Sequence, residues 1–214
     1  MNSYFHTLIT IEALAADFSE IALKDIVRAN VKQDSLISQI FHNEYHYDNN
    51  KITLSHQYIQ DQKHICIQAI SRSSLKSARR AFGRLIHTAQ DFYAHSNYAM
   101  LIAKAAPNLD FHEPLIDCVN PEIMNSKDLR SHKVYFPIDH LSIVPFFAKR
   151  LKNYAPDDSH VRMNLDTPLS GKLFVLVYKL AVKRTNEELH SLISAIGSTD
   201  KTKFNEFLGK VRNK

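Results

Sequence analysis

The chain of 214 residues contains no tryptophan, four glycines and only two cysteines. Cys66 and Cys118 lie in unrelated segments without a C-x-x-C spacing, so we expect free thiols and not a disulfide framework. The longest apolar run, residues 173–182, is interrupted by Lys179, and residues 1–30 contain no continuous apolar region. Because neither segment has the character of a membrane span or a signal peptide, the sequence predicts a cytoplasmic protein without a transmembrane segment.

The charge of the chain is only mildly basic. Lysine and arginine number 27 against 22 aspartates and glutamates, which gives a net charge of +5. The 44% of hydrophobic and 23% of charged residues are ordinary for a soluble globular protein and exclude extensive disorder. From the length we expect one domain over residues 1–214, and so small a charge excess predicts no specific nucleic-acid partner.

The distribution of proline divides the chain. All seven prolines lie in residues 107–170, whereas residues 1–106 contain a single glycine, Gly83. This asymmetry predicts a helical block, an irregular middle with long loops, and C-terminal helices over residues 171–214. Since no segment shows the alternation of a β-strand, the predicted fold class is all-α.

Apolar residues at helical spacing predict the individual helices. The expected helical ranges are roughly 7–30, 35–42, 55–105 as one interrupted or two successive helices, a short piece at 143–151, 172–195 and 200–211. Residues 43–50 are polar and turn-like, and Gly197 is placed like a helix C-cap.

Three residues of types that bind metals follow one face of a predicted helix. His87, Asp91 and His95 stand at i, i+4 and i+8, and because each four-residue step advances about 400°, they form a stripe roughly 80° wide. Eight residues of helix rise about 12 Å, whereas ligand atoms lie about 2.0–2.2 Å from an ion, so the two histidines are not expected to share one. The spacing predicts a multinuclear site in which the two oxygens of Asp91 bridge a pair of ions.

The alternative explanation of the stripe is structural. The stripe could be a row of polar residues on the protein surface, or one of its histidines could donate a hydrogen bond to a carbonyl group in the core. Leu85, Phe92 and Tyr93 stand beside it, and such neighbours are uncommon on a solvated helix face.

Further ligands must come from other segments, and twelve histidines supply many candidates. His6 heads the first predicted helix, where by itself it would be a surface histidine. Asp34 follows that helix in a predicted loop. His46 stands between Tyr45 and Tyr47, and a polar ring buried among aromatic neighbours requires a partner.

The segment from Gly83 to Tyr98 resembles the G-x-x-x-H-T-x-x-D-F-x-A-H-S-N signature of the Het-C family, proteins named for fungal heterokaryon incompatibility. That family is similar in turn to the zinc-dependent phospholipases C and the fungal secreted single-strand nucleases, which are all-helical enzymes with a trinuclear zinc site. Residues 5–14, 26–34, 44–49 and 159–168 resemble further elements of the family in the same order. The resemblance implies a compact multi-helix domain of the phospholipase C type, with long loops over the metal site.

The resemblance also implies which residues bind metal. These are histidines and aspartates: His6, Asp34, His46, His87, Asp91, His95, His160 and Asp166. In this assignment Asp91 joins the ion of His87 to the ion of His6, and His95 anchors a third ion.

Some positions of the implied site have alternatives. Asp48 could replace Asp34 at the first ion, and His112 with Asp117 could replace His160 with Asp166 at the third.

The implied chemistry is hydrolytic. Two ions about 3.5–4 Å apart can bind a phosphodiester between them and lower the pKa of a bridging water toward 7. The expected function is therefore a metal-dependent phosphoesterase with two or three zinc ions, iron being the other candidate, that acts on a small-molecule or lipid phosphoester. Asp91 and Asn97 are the expected catalytic residues, and either Asn97 or the third ion steadies the leaving oxygen. The structural alternative is that Ser96 and Asn97 only cap or brace the ligand helix.

Two other functions remain open from the sequence. One is a biosynthetic lyase, cyclase or oxygenase on the same metal-binding scaffold, which is favoured by the absence of an N-terminal tryptophan and of a signal peptide. The other is a non-enzymatic, Het-C-like interaction protein that recognises partners through the loops at 107–170. The sequence leaves the oligomeric state open.

Overall fold

The fold consists of α-helices arranged around one long central helix. A computed structural model describes residues 1–108, 117–135, 137–141, 150–151, 153–196 and 201–210. The helices are α1 (Ser3–Leu14), α2 (Glu20–Val31), α3 (Leu36–Phe41), α4 (Ile52–Ser71), α5 (Leu75–His95), α6 (Tyr98–Ala105), α7 (Pro121–Met124), α8 (Ile138–Leu141), α9 (His160–Met163), α10 (Leu173–Ile196) and α11 (Lys201–Leu208). Within these described residues there is no strand, only two isolated β-bridges, so the predicted all-α class is confirmed.

Helix α5 lies at the centre of the fold. It packs against α2, α4 and α10, and every residue from Leu85 to His95 is buried. A helix that is enclosed on all sides is normally apolar all round, but this one carries histidine, aspartate and glutamine into the interior. Those buried polar groups require partners from the surrounding helices.

The prediction of one helix over residues 7–30 is wrong, because the chain turns a corner after α1. Ser19 begins α2 by accepting a hydrogen bond from the backbone amide of Ala22, and its own amide donates to the carbonyl of Leu208 at 2.8 Å. Phe18 at this corner packs on Phe82 and Phe207. The apolar spacing continues across the break because both helices face the same core.

The remaining helix predictions agree closely with the structure. Helices α3, α10 and α11 occupy the predicted ranges, and short 3-10 turns occupy 43–50. The range 55–105 is the exception: it contains three helices and not the predicted one or two, since Ser96 and Asn97 end α5 before α6 begins. Residues 143–149 and Gly197 lie outside the described residues.

The two cysteines and the long helices agree with the other expectations. Cys66 and Cys118 are buried free thiols, as predicted. No described helix combines the length and the apolar character that crossing a membrane requires.

Gly83 allows α5 to lie directly against α2. A Cβ at this position would stand 2.5 Å from the carbonyl oxygen of Ile26, 2.7 Å from the Cβ of Ala29 and 3.0 Å from the amide nitrogen of Asn30. Because two of these atoms are backbone, neither helix can yield without moving as a whole. The close contact brings Asn30 of α2 beside the ligand face of α5.

We expect Gly83→Ala to lower the free energy of unfolding by about 1–3 kcal/mol, because the added methyl group forces α2 and α5 apart. Helix propensity alone would act in the opposite direction, by about 1 kcal/mol. Urea denaturation measures the difference. The control is Lys76→Ala at an exposed position of the same helix, and an increase in stability for Gly83→Ala would contradict the packing argument.

A second buried polar group joins α10 to α4. Glu188 is 4% exposed, and its oxygens lie 2.7 Å from Lys63 Nζ and 2.7 Å from Arg184 Nη2. Burial by itself raises the pKa of Glu188, but Arg184 and Lys63 outweigh it and lower that pKa below its ordinary value. The folded state is therefore stabilised by the ionised carboxylate.

Removing the Glu188 charge should leave Arg184 and Lys63 buried without compensation. We expect Glu188→Gln to cost about 3–5 kcal/mol at neutral pH. Since the folded pKa is depressed, the stabilisation is present above the unfolded pKa of about 4.3 and is lost as the pH falls through the folded value. Unfolding measured from pH 7 downward should show the two proteins converging in acid. Glu20→Gln, at an exposed position, is the control, and a constant difference at all pH values would contradict the interpretation.

Candidate metal centre

Helix α5 places the predicted stripe in the interior of the molecule. His87 and Asp91 are fully buried, and His95 is 6% exposed. Asp91 Oδ2 lies 3.2 Å from His87 Nε2, and Asp91 Oδ1 lies 4.0 Å from His95 Nε2. The carboxylate thus faces one histidine with each oxygen, as its place midway along the helix face requires.

Three other segments complete the His87 end of the stripe. His6 comes from α1, Asp34 from the turn after α2, and His46 from the loop between α3 and α4. His6 Nε2 lies 3.1 Å from Asp91 Oδ1, and His46 Nδ1 lies 3.0 Å from Asp91 Oδ2. His87 Nε2 is 3.1 Å from His46 Nδ1 and 3.8 Å from Asp34 Oδ1. These five residues, which we call the His87 cluster, include every candidate ligand predicted for this end.

A buried polar network fixes the ring of His6. Thr10 and Thr185 donate their hydroxyl hydrogens to carbonyls of their own helices, so each oxygen accepts a hydrogen bond from the amide nitrogen of Gln90, at 3.3 and 3.0 Å. This leaves Gln90 Oε1 as an acceptor 2.7 Å from His6 Nδ1. The Nδ1 atom therefore carries a hydrogen, and in the neutral ring Nε2 presents its lone pair to Asp91.

Asn30 fixes the ring of His87 by the same logic. Its amide nitrogen donates to Thr10 Oγ1 and to Gln90 Oε1, both at 3.1 Å, so its Oδ1 accepts from His87 Nδ1 at 3.2 Å. The Nε2 lone pair of His87 then faces the cluster. A histidine that binds a metal is commonly oriented in this way by a hydrogen bond from its other ring nitrogen.

The His95 end has its own set of candidate ligands. His132 Nε2 lies 2.7 Å from Asp48 Oδ1 and 3.0 Å from His160 Nδ1. Asp166 Oδ1 lies 3.0 Å from His95 Nε2, and Asp166 Oδ2 lies 3.6 Å from His160 Nε2. We call these five residues the His95 cluster. It contains the predicted pair of His160 and Asp166, whereas Asp48, considered for the first ion, lies at this end.

Backbone carbonyls orient two histidines of the His95 cluster. His95 Nδ1 is 2.8 Å from the carbonyl oxygen of His46, and His132 Nδ1 is 3.2 Å from the carbonyl oxygen of His95. Because a carbonyl oxygen can only accept, both Nδ1 atoms carry hydrogen. Their Nε2 atoms are left to face the carboxylates of the cluster.

The loop between α3 and α4 connects the two clusters and is conformationally strained. Tyr47, Asn49 and Asn50 have φ values of 58°, 53° and 56°, in the left-handed region, which costs a tyrosine about 1–2 kcal/mol. The two asparagine side chains accept hydrogen bonds from backbone amides within residues 131–134, at 2.9 and 3.1 Å. The loop therefore supplies ligands to both clusters and also holds the segment that carries His132.

Sequence reasoning missed His132. Its amide donates to the carbonyl of His95 at 3.0 Å, and the amide of His160 donates to the carbonyl of Lys133 at 2.9 Å. These bonds attach two distant segments to the end of α5. The neighbours of His132 have no ligand spacing, so no local pattern could have distinguished it from the other histidines.

Asp91 is ionised in spite of its burial. Burial by itself raises its pKa, but the amino group of Met1 and the imidazoles of His95, His87 and His6 hold that pKa well below its usual range. The Met1 amino group contacts Asp91 and lies 3.0 Å from His95 Nε2. The centre thus concentrates negative charge that cationic groups must balance.

The two histidines of the stripe differ in charge. Burial and the nearby ring of His6 lower the pKa of His87 to about 4, in spite of Asp91. Burial and the Met1 amino group also lower the pKa of His95, but Asp91 and Asp166 outweigh them and raise it to about 10. Without a bound cation, His87 is therefore a neutral imidazole, whereas His95 carries a proton that offsets the two carboxylates and that a cation bound at its Nε2 would displace.

The residue types present could bind a metal cation. Imidazole nitrogens and carboxylate oxygens lie within 4.8 Å of one another in three groups of residues, two in the His87 cluster and one in the His95 cluster. His46 Nε2 is buried without a hydrogen-bond partner among the described residues, which is the condition of an atom available for another ligand. Access is from the His95 cluster, where the side chains of His160 and Asp166 are 29% and 21% exposed.

The alternative ligands stand apart. Asp117 groups with Cys118 and Glu187 in a separate, partly exposed cluster, and His112 lies outside the described residues. They give no support to the alternative set for the third ion.

Asn97 is occupied by the protein backbone. Its side-chain amide donates to the carbonyl of Asp128 at 2.8 Å, and its Oδ1 accepts from the amide of Arg130 at 2.9 Å. Ser96 likewise bonds within its own turn, to Phe92 and Tyr98. This geometry favours the bracing role over the catalytic one that was expected for Asn97.

The family of the chain follows from its N-terminal part. A family model described as the VWA7 N-terminal domain matches residues 2–120, more than half of the chain, and the chain belongs to this family. No curated protein and no solved structure matches it.

The family match corrects the resemblance inferred from the motifs. The segment from Gly83 to Tyr98, with residues 5–14, 26–34 and 44–49, lies inside the region that matches the VWA7 N-terminal domain. The assignment to the Het-C family, and through it to the phospholipases C and nucleases, is therefore wrong. Histidine and aspartate at four-residue intervals mark a ligand face of a helix, and that geometry is not specific to one family.

The bracing role of Asn97 can be measured. We expect Asn97→Ala to lower the free energy of unfolding by about 1–3 kcal/mol, because the backbone groups at residues 128 and 130 lose their partners. Chemical denaturation measures the effect. Asn125→Ala, at an exposed position, is the control, and an unchanged stability for Asn97→Ala would contradict the bracing role.

Proposed function

We propose that this chain is a metal-dependent hydrolase of phosphodiester bonds in which the His87 and His95 clusters bind zinc. One observation carries the proposal: imidazole Nε2 atoms converge on buried carboxylates while their Nδ1 atoms are already bonded to protein oxygens. Lone pairs of nitrogen and oxygen that face each other in this way are stabilised by a shared cation.

The position of Asp91 supports a site with more than one ion. Its two oxygens face different histidines, and histidines of both clusters lie within 4.0 Å of them. A carboxylate in this position can join two ions, which in hydrolases polarise a phosphodiester and acidify water. The set contains imidazoles and carboxylates and no cysteine, which suits zinc and also accommodates iron.

The residues of the chain divide the remaining tasks. Asn30 and Gln90 hold the His87 and His6 rings in the tautomer that presents Nε2 to the cluster. Asp91 stays ionised although its side chain is fully buried. His160 and Asp166, on the accessible side, are positioned to meet a small-molecule or lipid phosphoester as it enters.

The proposal predicts metal content and activity together. Protein purified without added metal should contain about two to three zinc ions per chain. Asp91→Asn should lose at least about one ion and hydrolyse bis-p-nitrophenyl phosphate about 100-fold more slowly or worse, because the ions lose their common ligand. Elemental analysis and the rate of nitrophenol release measure the two effects. Asp61→Asn, an exposed aspartate of α4, is the matched control.

Two further variants keep the experiment decisive if Asp91→Asn fails to fold. Asn30→Ala leaves every ligand in place and should weaken metal binding about 10- to 100-fold. His160→Ala, at the exposed edge, should reduce activity without unfolding the core. Fewer than about one ion per chain would refute the proposal, whereas iron together with consumption of dioxygen would favour an oxygenase on the same scaffold.

A further inference from the structure

A basic groove lies between α2, α3 and α5, and its lining includes the two residues that flank Asp34 in the sequence. It has a volume of about 730 Å³. Its cationic side chains are Arg28, Lys32, Lys76, Arg80 and Arg84. They stand at four-residue intervals, two on α2 and its end and three on α5, so the two packed helices present two parallel rows of positive charge.

The charge of the groove is not neutralised by the protein. All five cationic side chains are exposed, and none forms an ion pair with any residue that the structure describes. The only carboxylate in the lining is Asp25, whose oxygen lies 3.3 Å from Arg79, a residue outside the lining. Five positive charges that lie close together repel one another, and such an arrangement indicates an anionic partner.

Helix α3 forms the neighbouring surface and is apolar where it faces solvent. None of its six residues is buried. Its large apolar side chains are exposed by 55–71%: Leu36, Ile37, Ile40 and Phe41. Ile37 and Ser38 also line the basic groove, so the apolar and the cationic surfaces are continuous. A contiguous exposed apolar patch on a soluble domain marks a contact surface.

We infer that this face docks on an anionic lipid bilayer, with α3 entering the interface and the groove facing the headgroups. Cationic side chains attract the negative surface of such a bilayer, and exposed aliphatic and aromatic side chains enter the boundary between headgroups and acyl chains. Lipid accounts for both halves of the surface, whereas a nucleic acid would account only for the charge. The inference does not rest on the proposed hydrolase function.

Vesicle binding tests the inference on the whole chain. Vesicles of phosphatidylcholine with about 30% phosphatidylserine should sediment with the protein, and vesicles of phosphatidylcholine alone should bind at least about tenfold more weakly. Binding should weaken as the salt concentration rises from about 0.05 to 0.5 M, since the groove is exposed. Equal binding to both kinds of vesicle, or to neither, would overturn the inference.

Matched variants separate the two halves of the surface. Arg80→Glu should lower the partition coefficient about tenfold or more, and the loss should shrink at high salt. Phe41→Ser should lower it by a similar factor that persists at high salt, because the lost interaction is apolar. Lys104→Glu and Leu169→Ser, exposed residues outside the groove and α3, are the controls. If the controls weaken binding as much as the variants, the assignment of this face is wrong.

The absence of tryptophan allows a direct readout of depth. Phe41→Trp introduces a single tryptophan on α3, and its emission, excited selectively at about 295 nm, should shift to the blue on addition of anionic vesicles. Leu169→Trp should show no such shift. Sedimentation equilibrium without vesicles tests for a dimer. A dimer in which the emission of Phe41→Trp is already shifted to the blue would assign the surface to a second copy of the chain. A blue shift on addition of an oligonucleotide alone would assign it to a nucleic acid, and either result would overturn the inference.

Discussion

The structure depends on the burial of one carboxylate, that of Asp91 in the middle of α5. A buried charge is tolerated only when it is paired, and this one is surrounded by the imidazoles of His6, His46 and His87 and by the Met1 amino group. Apart from His87, which shares α5 with Asp91, these groups come from α1 with the residues before it and from the loop before α4, so these segments must all be correctly placed for the charge to be satisfied. The central helix is thus both the core of the fold and the axis of the candidate site.

Uncharged side chains around the cluster fix the orientation of two of its histidine rings. Thr10 and Thr185 donate hydrogen bonds to helix carbonyls, so their oxygens can accept from the side-chain amides of Asn30 and Gln90. The amide oxygens of Asn30 and Gln90 then accept from the rings of two histidines and fix their orientation. Every step follows from which atoms can only donate or only accept. The close contact at Gly83 belongs to the same design, since it brings α2 near enough for Asn30 to reach α5. The network therefore links helix packing to the orientation of the candidate ligands.

The family and the site provide different kinds of information. The match to the VWA7 N-terminal domain covers residues 2–120, which include all of the His87 cluster, Asp48 and His95, but not His132, His160 or Asp166. A stripe of metal-ligand residues on a helix identifies a local geometry more reliably than it identifies a protein family. The described part of the chain also carries a basic groove and an exposed apolar helix, which are separate from the buried side chains of the candidate centre.

Sequence by itself determined the helices, the stripe and the residue types of the site. The period of apolar residues predicted the all-α class, and the four-residue spacing of His87, Asp91 and His95 placed them on one face because both are local properties of the helix. The corner at Ser19 and the contact of His132 with Asp48 were decided only by the tertiary structure. The corner depends on the Ser19 amide, which donates to the carbonyl of Leu208, and the position of His132 depends on backbone hydrogen bonds between residues far apart in the chain. Neither contact produces a periodic pattern in the sequence. For the same reason, only the packed structure decided that Asn97 holds a loop and that the rings of His6 and His87 turn Nε2 toward Asp91.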